Sequence, residues 1–454
     1  MKRKIVVSAM SAIVAGLASA VNVNSMPDTG SDSERIAAAL KVGAGDRIIL
    51  EKRVSKNDPD RNWWLIDEAI LLPSDTTLIL RDTKIKLSDK CRDNFIRSAN
   101  CGLGVADIKP AKNIRIIGEG NVLLEGADRP RSTGDAEKTI RRVSAHRWDE
   151  WNKYAYWLPE SERENHKVTF WDIHNNSYGT DWNKQGESDH GDWRNIGILF
   201  AKVDNFEIKG LKMKDTHGWA LSMEECTHGR IADIDFNMVM ERFIDGVWQN
   251  IENQDGIDIR NGCHFITIEN ITGVTGDDVI ALTAIAPPDG VPEKFRPSGS
   301  LYTTHVMHND FTKRDPNISH IIIRNVRAYS RLCALIRLLP AGTKISNVII
   351  SDVIDTLPPY SVDPHNHWGP VLLLGDGGHY GKNKEKSIRY LSVNNIIGAE
   401  RTKYVAQISG YVSDSCFSNI INQNPECTAF YIKGKEHLTN SQIVNVVEAK
   451  VEAK

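Results

Sequence analysis

The sequence lacks a strong charge bias, because 56 lysines and arginines stand against 59 aspartates and glutamates, for a net charge of −3. Proteins that bind nucleic acids usually carry a basic surplus, so the composition does not favour a nucleic-acid partner. Beyond residue 20 there is no apolar run long enough to cross a bilayer. We therefore expect no membrane association for the mature chain.

Cysteine is scarce, and none of the seven cysteines has the spacing of a metal site. An odd number leaves at least one thiol unpaired. Four cysteines form close pairs that could be bridged: Cys91 with Cys101, and Cys416 with Cys427. Three stand in apolar strand contexts and are expected to be buried thiols: Cys226, Cys263 and Cys333.

The N-terminus has the pattern of a secretory signal over residues 1–20. Lys2-Arg3-Lys4 is basic, residues 5–17 are apolar, and Ala18-Ser19-Ala20 fits a cleavage site. The apolar run is too short to span a bilayer comfortably. The sequence therefore predicts export to the periplasm or the extracellular space.

Short β-branched runs recur at intervals of about 24 to 45 residues and are bounded by Asn, Asp and Gly. They lie at residues 47–50, 77–80, 113–117, 205–208, 230–234, 265–268, 321–326, 348–353 and 390–393. This repeat predicts an all-β parallel β-helix in one domain over residues 25–454. A β-propeller has a similar repeat length, but no blade motif recurs. Residues 33–40 predict a short helix, capped by Ser33, that covers the first coil.

Residues 128–194 interrupt the repeat. Six of the 11 tryptophans fall in this segment, together with several arginines. The aromatic side chains could form a small core that ties an insert to the solenoid. They could also form a groove wall that stacks on sugars, with the arginines facing carboxylates. We expect the insert to shape substrate access.

Two acidic clusters, Asp255/Asp258 and Asp277/Asp278, lie on either side of an alternating segment at residues 264–269. Asp and Gly are common turn residues, so a structural turn could explain each cluster alone. In a solenoid, clusters one coil apart in sequence are neighbours in space. Carboxyl groups gathered on one exposed groove would suit hydrolysis of a glycosidic bond, which needs an acid and a base.

This stretch resembles the core of glycoside hydrolase family 28, the polygalacturonase-like enzymes. The family pattern N-T-D-G-(I/F)-D-I followed by G-D-D-C-I-A corresponds to NQDGIDI at residues 253–259 and GDDVIA at residues 276–281. Upstream, DTHGWAL at residues 215–221 is similar to a further coil of the family. The resemblance implies a right-handed parallel β-helix of the pectin-lyase type and a monomeric enzyme without a metal or other cofactor.

The resemblance also implies roles for individual residues. Asp277 would be the general acid, while Asp255 and Asp278 would position and deprotonate the attacking water. The anomeric configuration would invert, which requires carboxyl groups about 6.5–9.5 Å apart. Four further residues are expected to contact substrate: Asn253, Asp258, His217 and Trp219. The substrate would be a complex, acidic, pectin-like polysaccharide or an oligosaccharide derived from it.

The chain departs from the family by lacking the later G-H-G and R-I-K motifs. Residues 330–337 read SRLCALIR, so arginine stands roughly where the histidine is expected. Arg331 and Arg337 could supply replacement charge for binding substrate, or could be surface or turn residues. Two alternatives stay open: a polysaccharide lyase with an arginine base, and a non-catalytic glycan-binding β-helix.

Overall fold

A computed structural model describes most of the chain between residues 20 and 450. The described ranges are 20–43, 45–91, 93–102, 105, 108–128, 196–239, 241–244, 247–250, 254–285, 315–359, 369–375 and 385–450. The predicted signal therefore lies almost wholly outside the described residues. The predicted insert at residues 128–194 lies outside them too, apart from Asp128, so both stay predictions.

The described residues form one α-helix, two 3-10 turns and a long series of strands. The helix, α1, spans Asp32–Val42, and the 3-10 turns span Val23–Ser25 and Lys435–His437. The strands are β1 (Ala20–Asn22), β2 (Arg47–Glu51), β3 (Trp64–Ile66), β4 (Ile70–Leu72), β5 (Thr77–Arg81), β6 (Lys84–Leu87), β7 (Ile96–Ser98), β8 (Ala111–Glu119), β9 (Leu123–Glu125), β10 (Ile198–Ala201), β11 (Val203–Lys214), β12 (Leu221–Glu224), β13 (Thr227–Asn237), β14 (Glu241–Ile244), β15 (Val247–Asn250), β16 (Ile257–Arg260), β17 (His264–Thr275), β18 (Ile280–Ile285), β19 (Ile318–Ser330), β20 (Ile336–Ala341), β21 (Ile345–Asp355), β22 (Leu372–Leu374), β23 (Ile388–Gly398), β24 (Ala406–Ile408), β25 (Val412–Ser413), β26 (Cys416–Asn422), β27 (Phe430–Ile432), β28 (Leu438–Thr439) and β29 (Gln442–Glu448).

The strands stack into a large sheet of 17 strands and a small sheet of 10. Among the described strands, pairing in both sheets is parallel, and the β14–β15 hairpin alone is antiparallel. A propeller blade pairs its strands antiparallel, so the structure excludes the propeller alternative. The prediction of a right-handed parallel β-helix is confirmed.

Alternation along each strand decides which side chains enter the coil. In the large sheet one residue per coil stacks in register to form a buried apolar column: Ile231, Ile268, Ile323, Ile350 and Val393. Burying such a side chain contributes about 1.5–3 kcal/mol. Because every coil repeats this contribution, the burial of the column stabilises the whole stack of coils.

A sharp turn in the large sheet repeats at the same place in successive coils. Its residue adopts a left-handed backbone with φ between 53° and 58°: Asp233, Asn270, Asn325, Asp352 and Asn395. Asn270 Nδ2 donates to Asp233 Oδ1 at 2.8 Å, and Asn325 Nδ2 donates to Asn270 Oδ1 at 2.7 Å. Asn and Asp tolerate this conformation better than most residues, which explains the turn composition seen in the sequence.

Helix α1 packs against β1, β3 and β4 and covers the first coil, as expected. Ile36 and Leu40 are buried on its inner face. The predicted cap was wrong by two residues, since Ser31 caps the helix and forms a capping box with Glu34. Ser31 stands three residues before a glutamate, which is the spacing of that motif.

All seven cysteines are free thiols, so the two candidate disulfides do not form. Cys91 donates its thiol to the Asp93 carbonyl, and Cys101 donates to the Ser98 carbonyl. Cys91 and Cys101 therefore each form a hydrogen bond with a nearby backbone carbonyl and are not bonded to each other. The three expected buried thiols are buried. Among the described residues, no helix is both long and apolar enough to cross a membrane.

Candidate active site

The small sheet carries the acidic residues on its outer face. In five successive coils the residues that point into the coil are apolar and stacked in register: Leu221, Ile257, Ile280, Ile336 and Leu372. The next residues along each strand form the outer row: Ser222, Asp258, Ala281, Arg337 and Leu373. Because successive side chains of a strand alternate between faces, Asp258 lies outside the coil.

Asp255 and Asp278 lie at the start of neighbouring strands. The Gly256 N–H donates to the Asp278 carbonyl at 2.9 Å, so the two acidic clusters stand one strand apart. The equivalent positions on the two flanking strands are occupied by Trp219 and Ala334, which belong to small apolar clusters separate from the main core. The structure therefore brings the predicted carboxyl groups together on the outside of the solenoid.

Asp278 is the carboxylate held most firmly by the protein. Its Oδ1 accepts from the Ala334 N–H at 2.9 Å, and its Oδ2 lies 3.2 Å from Arg337 Nη1. Asp277 Oδ1 instead accepts the Asp278 N–H at 2.9 Å. The two neighbouring aspartates thus have different environments, since among the described residues Asp278, and not Asp277, forms an ion pair with a cation.

The carboxyl groups strongly affect one another. Burial, followed by repulsion from Asp278, raises the pKa of Asp277 to about 7. Burial, followed by repulsion from Asp258, Asp277 and Asp278, raises the pKa of Asp255 well above 3.8. The pKa of Asp258 is also raised, mainly by burial, although Arg260 opposes the shift. A carboxyl group with a raised pKa can hold the proton that a general acid must deliver.

The expectation of an exposed groove was wrong for most of these groups. Asp255, Asp258 and Asp278 are only 5%, 1% and 2% exposed, while Asp277 is partly exposed. The four carboxyl groups therefore lie outside the coil, but three of them are shielded from solvent. Covering removes water from around the charges, which is the main reason for the raised pKa values.

Within the described part of the chain, several buried polar atoms of this face have no hydrogen-bond partner. They belong to five residues on neighbouring strands: Trp219 Nε1, Ser222 Oγ, Gln254 Oε1, Asp255 Oδ1 and Asp258 Oδ2. A buried polar atom without a partner costs about 1–3 kcal/mol, so native proteins contain few of them. Their concentration here indicates a surface shaped for a ligand rich in hydrogen-bonding groups.

The other predicted substrate-binding residues have diverse positions. Trp219 lies beside Asp255, is 6% exposed, and has the Arg260 guanidinium 4.8 Å from its ring centroid. His217 is buried, and its Nε2 accepts from the Ala127 N–H at 3.1 Å. Asn253 lies outside the described residues. Trp219 therefore borders the carboxyl cluster, whereas His217 holds the neighbouring backbone.

The two arginines proposed as replacement charges differ in their contacts. Arg331 Nε donates to the Met238 carbonyl at 3.2 Å, while Arg337 contacts Asp278. Strand pairing in this coil aligns Cys333 with Asp277. The residue one coil after Asp277 is therefore a cysteine, while the expectation that an arginine replaces the family histidine stays a prediction.

A metal could be considered at Asp277, Asp278 and Cys333, whose ligand atoms lie within 4.8 Å of one another. The Arg337 guanidinium lies 3.2 Å from Asp278 Oδ2 and 3.8 Å from Cys333 Sγ. The Arg337 guanidinium thus already brings a positive charge to these residues. We assign no metal to these residues.

Four residues of the site were not predicted from the sequence: Ser222, Gln254, Arg260 and Cys333. Ser222 and Arg260 alternate with apolar residues in β12 and β16, so the period of the strand places them on the outer face. That signal was available in the sequence. The alignment of Cys333 with Asp277 was not, because 56 residues separate Asp278 from Ala334.

Comparison with known families supports the sequence resemblance. Residues 131–286, about one third of the chain, match the model for the glycosyl hydrolases family 28. Both acidic motifs lie inside this segment, so the predicted resemblance is confirmed. No curated protein matches the chain.

Solved structures share the fold at low sequence identity. The endo-xylogalacturonan hydrolase of Aspergillus tubingensis is 12% identical, with a TM-score of 0.51 over 96% of this chain and 94% of that one. The surface protein and adhesin PfbA of Streptococcus pneumoniae is 15% identical, with a TM-score of 0.52 over 95% and 99%. At this identity the likeness establishes only the shared architecture.

Proposed function

We propose that this protein, with its family 28 segment, is a glycoside hydrolase that cleaves a polysaccharide or its oligosaccharides. The observation that carries the proposal is the carboxyl cluster on the small sheet. In it, burial and Asp278 raise the pKa of Asp277 to about 7, while Asp278 is paired with Arg337. One carboxyl group able to keep a proton beside one held as an anion is the pair that glycosidic hydrolysis needs.

In the proposed reaction, Asp277 gives its proton to the glycosidic oxygen as the bond to the anomeric carbon breaks. Asp255 and Asp278 orient a water molecule, and one of them takes a proton from it as the new C–O bond forms. Asp277 is the most exposed of these three residues, in keeping with contact to the leaving group. The proton taken from water must then reach Asp277, directly or through solvent, to restore the starting protonation of the site.

Inversion is inferred from the family resemblance and not from the carboxyl separation. Oxygens of Asp277 and Asp278 lie within 4.8 Å of each other, whereas inverting pairs are about 6.5–9.5 Å apart. Burial and the neighbouring carboxyl groups raise the pKa of Asp255, so Asp278, which is paired with Arg337, is the better candidate to take the proton from water. Asp255 would then help to orient the water.

The unpartnered polar atoms support a sugar ligand. Four of the five atoms can accept hydrogen bonds, and hydroxyl groups of a sugar can donate them. The adjacent Trp219 provides an aromatic border. We propose an acidic, pectin-like polymer as the substrate, as implied by the family resemblance.

We further propose that the protein is exported by its N-terminal signal and acts as a monomer in the periplasm or outside the cell. Sequencing the N-terminus of protein recovered from the periplasm or medium would test the cleavage site after Ala20. Light scattering of the purified protein would test the monomer.

Product analysis tests the proposed function against the two alternatives. The purified protein would be incubated with pectic and algal polysaccharides, and reducing ends and ultraviolet absorbance would be followed together. Hydrolysis yields reducing ends alone, whereas a lyase also yields an absorbing unsaturated sugar. Binding without any product would favour the glycan-binding alternative.

A further inference from the structure

We infer that Arg337 is a positioning residue that keeps Asp278 anionic and fixed in orientation, so that the mobile proton of the cluster stays on Asp277. The inference rests on the proposed function and assigns a task to a residue outside the two acidic motifs. It also replaces the sequence-based expectation that Arg337 binds the substrate directly.

The contacts of Asp278 carry the first step. The Ala334 N–H at 2.9 Å and Arg337 Nη1 at 3.2 Å reach different oxygens of the same carboxylate. The side chains of Asp278 and Arg337 are 3% and 14% exposed, so solvent screens this pair weakly. Two donors from β20 and the segment before it therefore fix both oxygens.

The composition of the surroundings carries the second step. Among the described residues, the charged and titratable groups of this cluster are Asp255, Asp258, Asp277 and Asp278, the thiol of Cys333, and the cations Arg260 and Arg337. Arg260 acts on Asp258, whereas Arg337 forms the ion pair with Asp278. Breaking one buried pair leaves an uncompensated charge, so removing Arg337 should drive a proton onto Asp278.

Cys333 adds a reason why the arginine is needed. Cys333 is aligned with Asp277 in the next coil, and burial raises the pKa of its thiol well above 9.0. The residue next to the acid is thus a neutral thiol that brings no positive charge. Arg337, four residues later, reaches back to Asp278 and to within 3.8 Å of Cys333 Sγ.

The test follows the protonation of Asp278 directly and needs no substrate. Protein labelled with ¹³C at the aspartate carboxyl carbon would be titrated by NMR, with Asp278→Asn used to assign the Asp278 signal. The wild type would be compared with Arg337→Gln and Arg337→Lys. Arg324→Gln is the matched control, because Arg324 pairs with Glu269 at 2.7 Å on the large sheet.

We expect Arg337→Gln to move the Asp278 titration midpoint upward by at least one pH unit, a tenfold change in proton affinity. Arg337→Lys should cause a smaller shift in the same direction, and Arg324→Gln should cause none. An unchanged midpoint in both Arg337 variants would overturn the inference. If Arg337→Gln does not fold, the lysine variant decides, since an unchanged Asp278 midpoint in Arg337→Lys would then overturn the inference.

Activity separates this inference from the proposed function. A shifted midpoint in a protein that cleaves no polysaccharide would support the electrostatic role of Arg337 and contradict hydrolysis. Cleavage by the wild type with an unchanged Asp278 midpoint in the variants would support hydrolysis and contradict the role of Arg337.

Discussion

The outer faces of the two sheets satisfy their polar groups in different ways. On the large sheet, Glu269 accepts from Arg230 at 2.8 Å and from Arg324 at 2.7 Å, which links three successive coils. The Asn and Asp residues of its sharp turns are joined in the same manner. On the small sheet, Ser222 Oγ and Asp258 Oδ2 are buried and have no hydrogen-bond partner among the residues that the structure describes.

This difference separates polar residues that stabilise the solenoid from those that serve another purpose. A polar ladder whose members bond to one another adds a little stability at each coil. Buried atoms without partners reduce stability unless a ligand or water satisfies them. We therefore propose that the small sheet is the face on which the fold gives up stability for binding and chemistry.

The largest expected effect is on activity. Asp277→Asn keeps the size of the side chain but removes the proton, and loss of a positioned general acid typically lowers the rate about 10²–10⁴-fold. The matched control is Asp233→Asn on the large sheet, where asparagine occupies the equivalent place in other coils. Reducing-end assays on a cleaved polysaccharide should show the loss only for Asp277→Asn. Equal rates for the two variants would remove Asp277 from the role of acid.

The pH dependence should show the raised pKa of Asp277. Activity should fall as the pH rises above about 7, where Asp277 loses its proton. Stability follows the same sign, because the folded protein holds a proton that the unfolded chain releases near 3.8. The stabilisation is complete below that value and is lost as the pH rises through about 7. Thermal melts should therefore show Asp277→Asn gaining stability relative to wild type as pH increases, and a constant difference would refute this account.

Breaking a ladder on the large sheet should lower stability without changing chemistry. Asn325→Ala removes a hydrogen bond worth about 0.5–1.5 kcal/mol. It also places alanine at φ 53°, at a further cost of about 1–2 kcal/mol. Asn325→Gly avoids the second cost and separates the two contributions in urea denaturation. A catalytic defect in either folded variant would contradict the assignment of a purely structural role to this part of the large sheet.

The smallest loss of stability is expected from Ser222→Ala. Its buried hydroxyl has no hydrogen-bond partner among the described residues, so removing it should leave the free energy of unfolding unchanged or raise it by up to about 1–3 kcal/mol. Ser415→Ala is the comparison, because the Ser415 hydroxyl donates to the Ser413 carbonyl at 2.8 Å and accepts from the Leu391 N–H. That variant should lose about 1–3 kcal/mol. Similar losses in both would mean that Ser222 is satisfied in the folded protein.

The sequence predicted the repeating features well because they depend on local alternation. The two-residue period of a strand alone puts Asp258 on the face opposite to Ile257 and Ile259. The left-handed turns follow from Asn and Asp at fixed places, as at Asn270. The outward position of Asp258 and the closeness of the two acidic clusters could therefore be predicted.

The sequence could not predict features set by register between distant coils. Arg337 contacts Asp278 across 59 positions, and the length of the sequence between them hides the alignment. The number of residues in that segment does not reveal whether Cys333, Arg331 or Arg337 meets the acid. Burial of Asp255 was also missed, because a turn composition does not show what covers the turn.

The stereochemistry of the first product tests the central claim most directly. Proton NMR in the first minutes of cleavage, before the sugar anomers equilibrate, distinguishes the two configurations at the new reducing end. Direct attack by water oriented by Asp255 and Asp278, with Asp277 as the acid, predicts the inverted anomer. A retained anomer would instead identify Asp278, within 4.8 Å of Asp277, as a nucleophile, and would contradict the account.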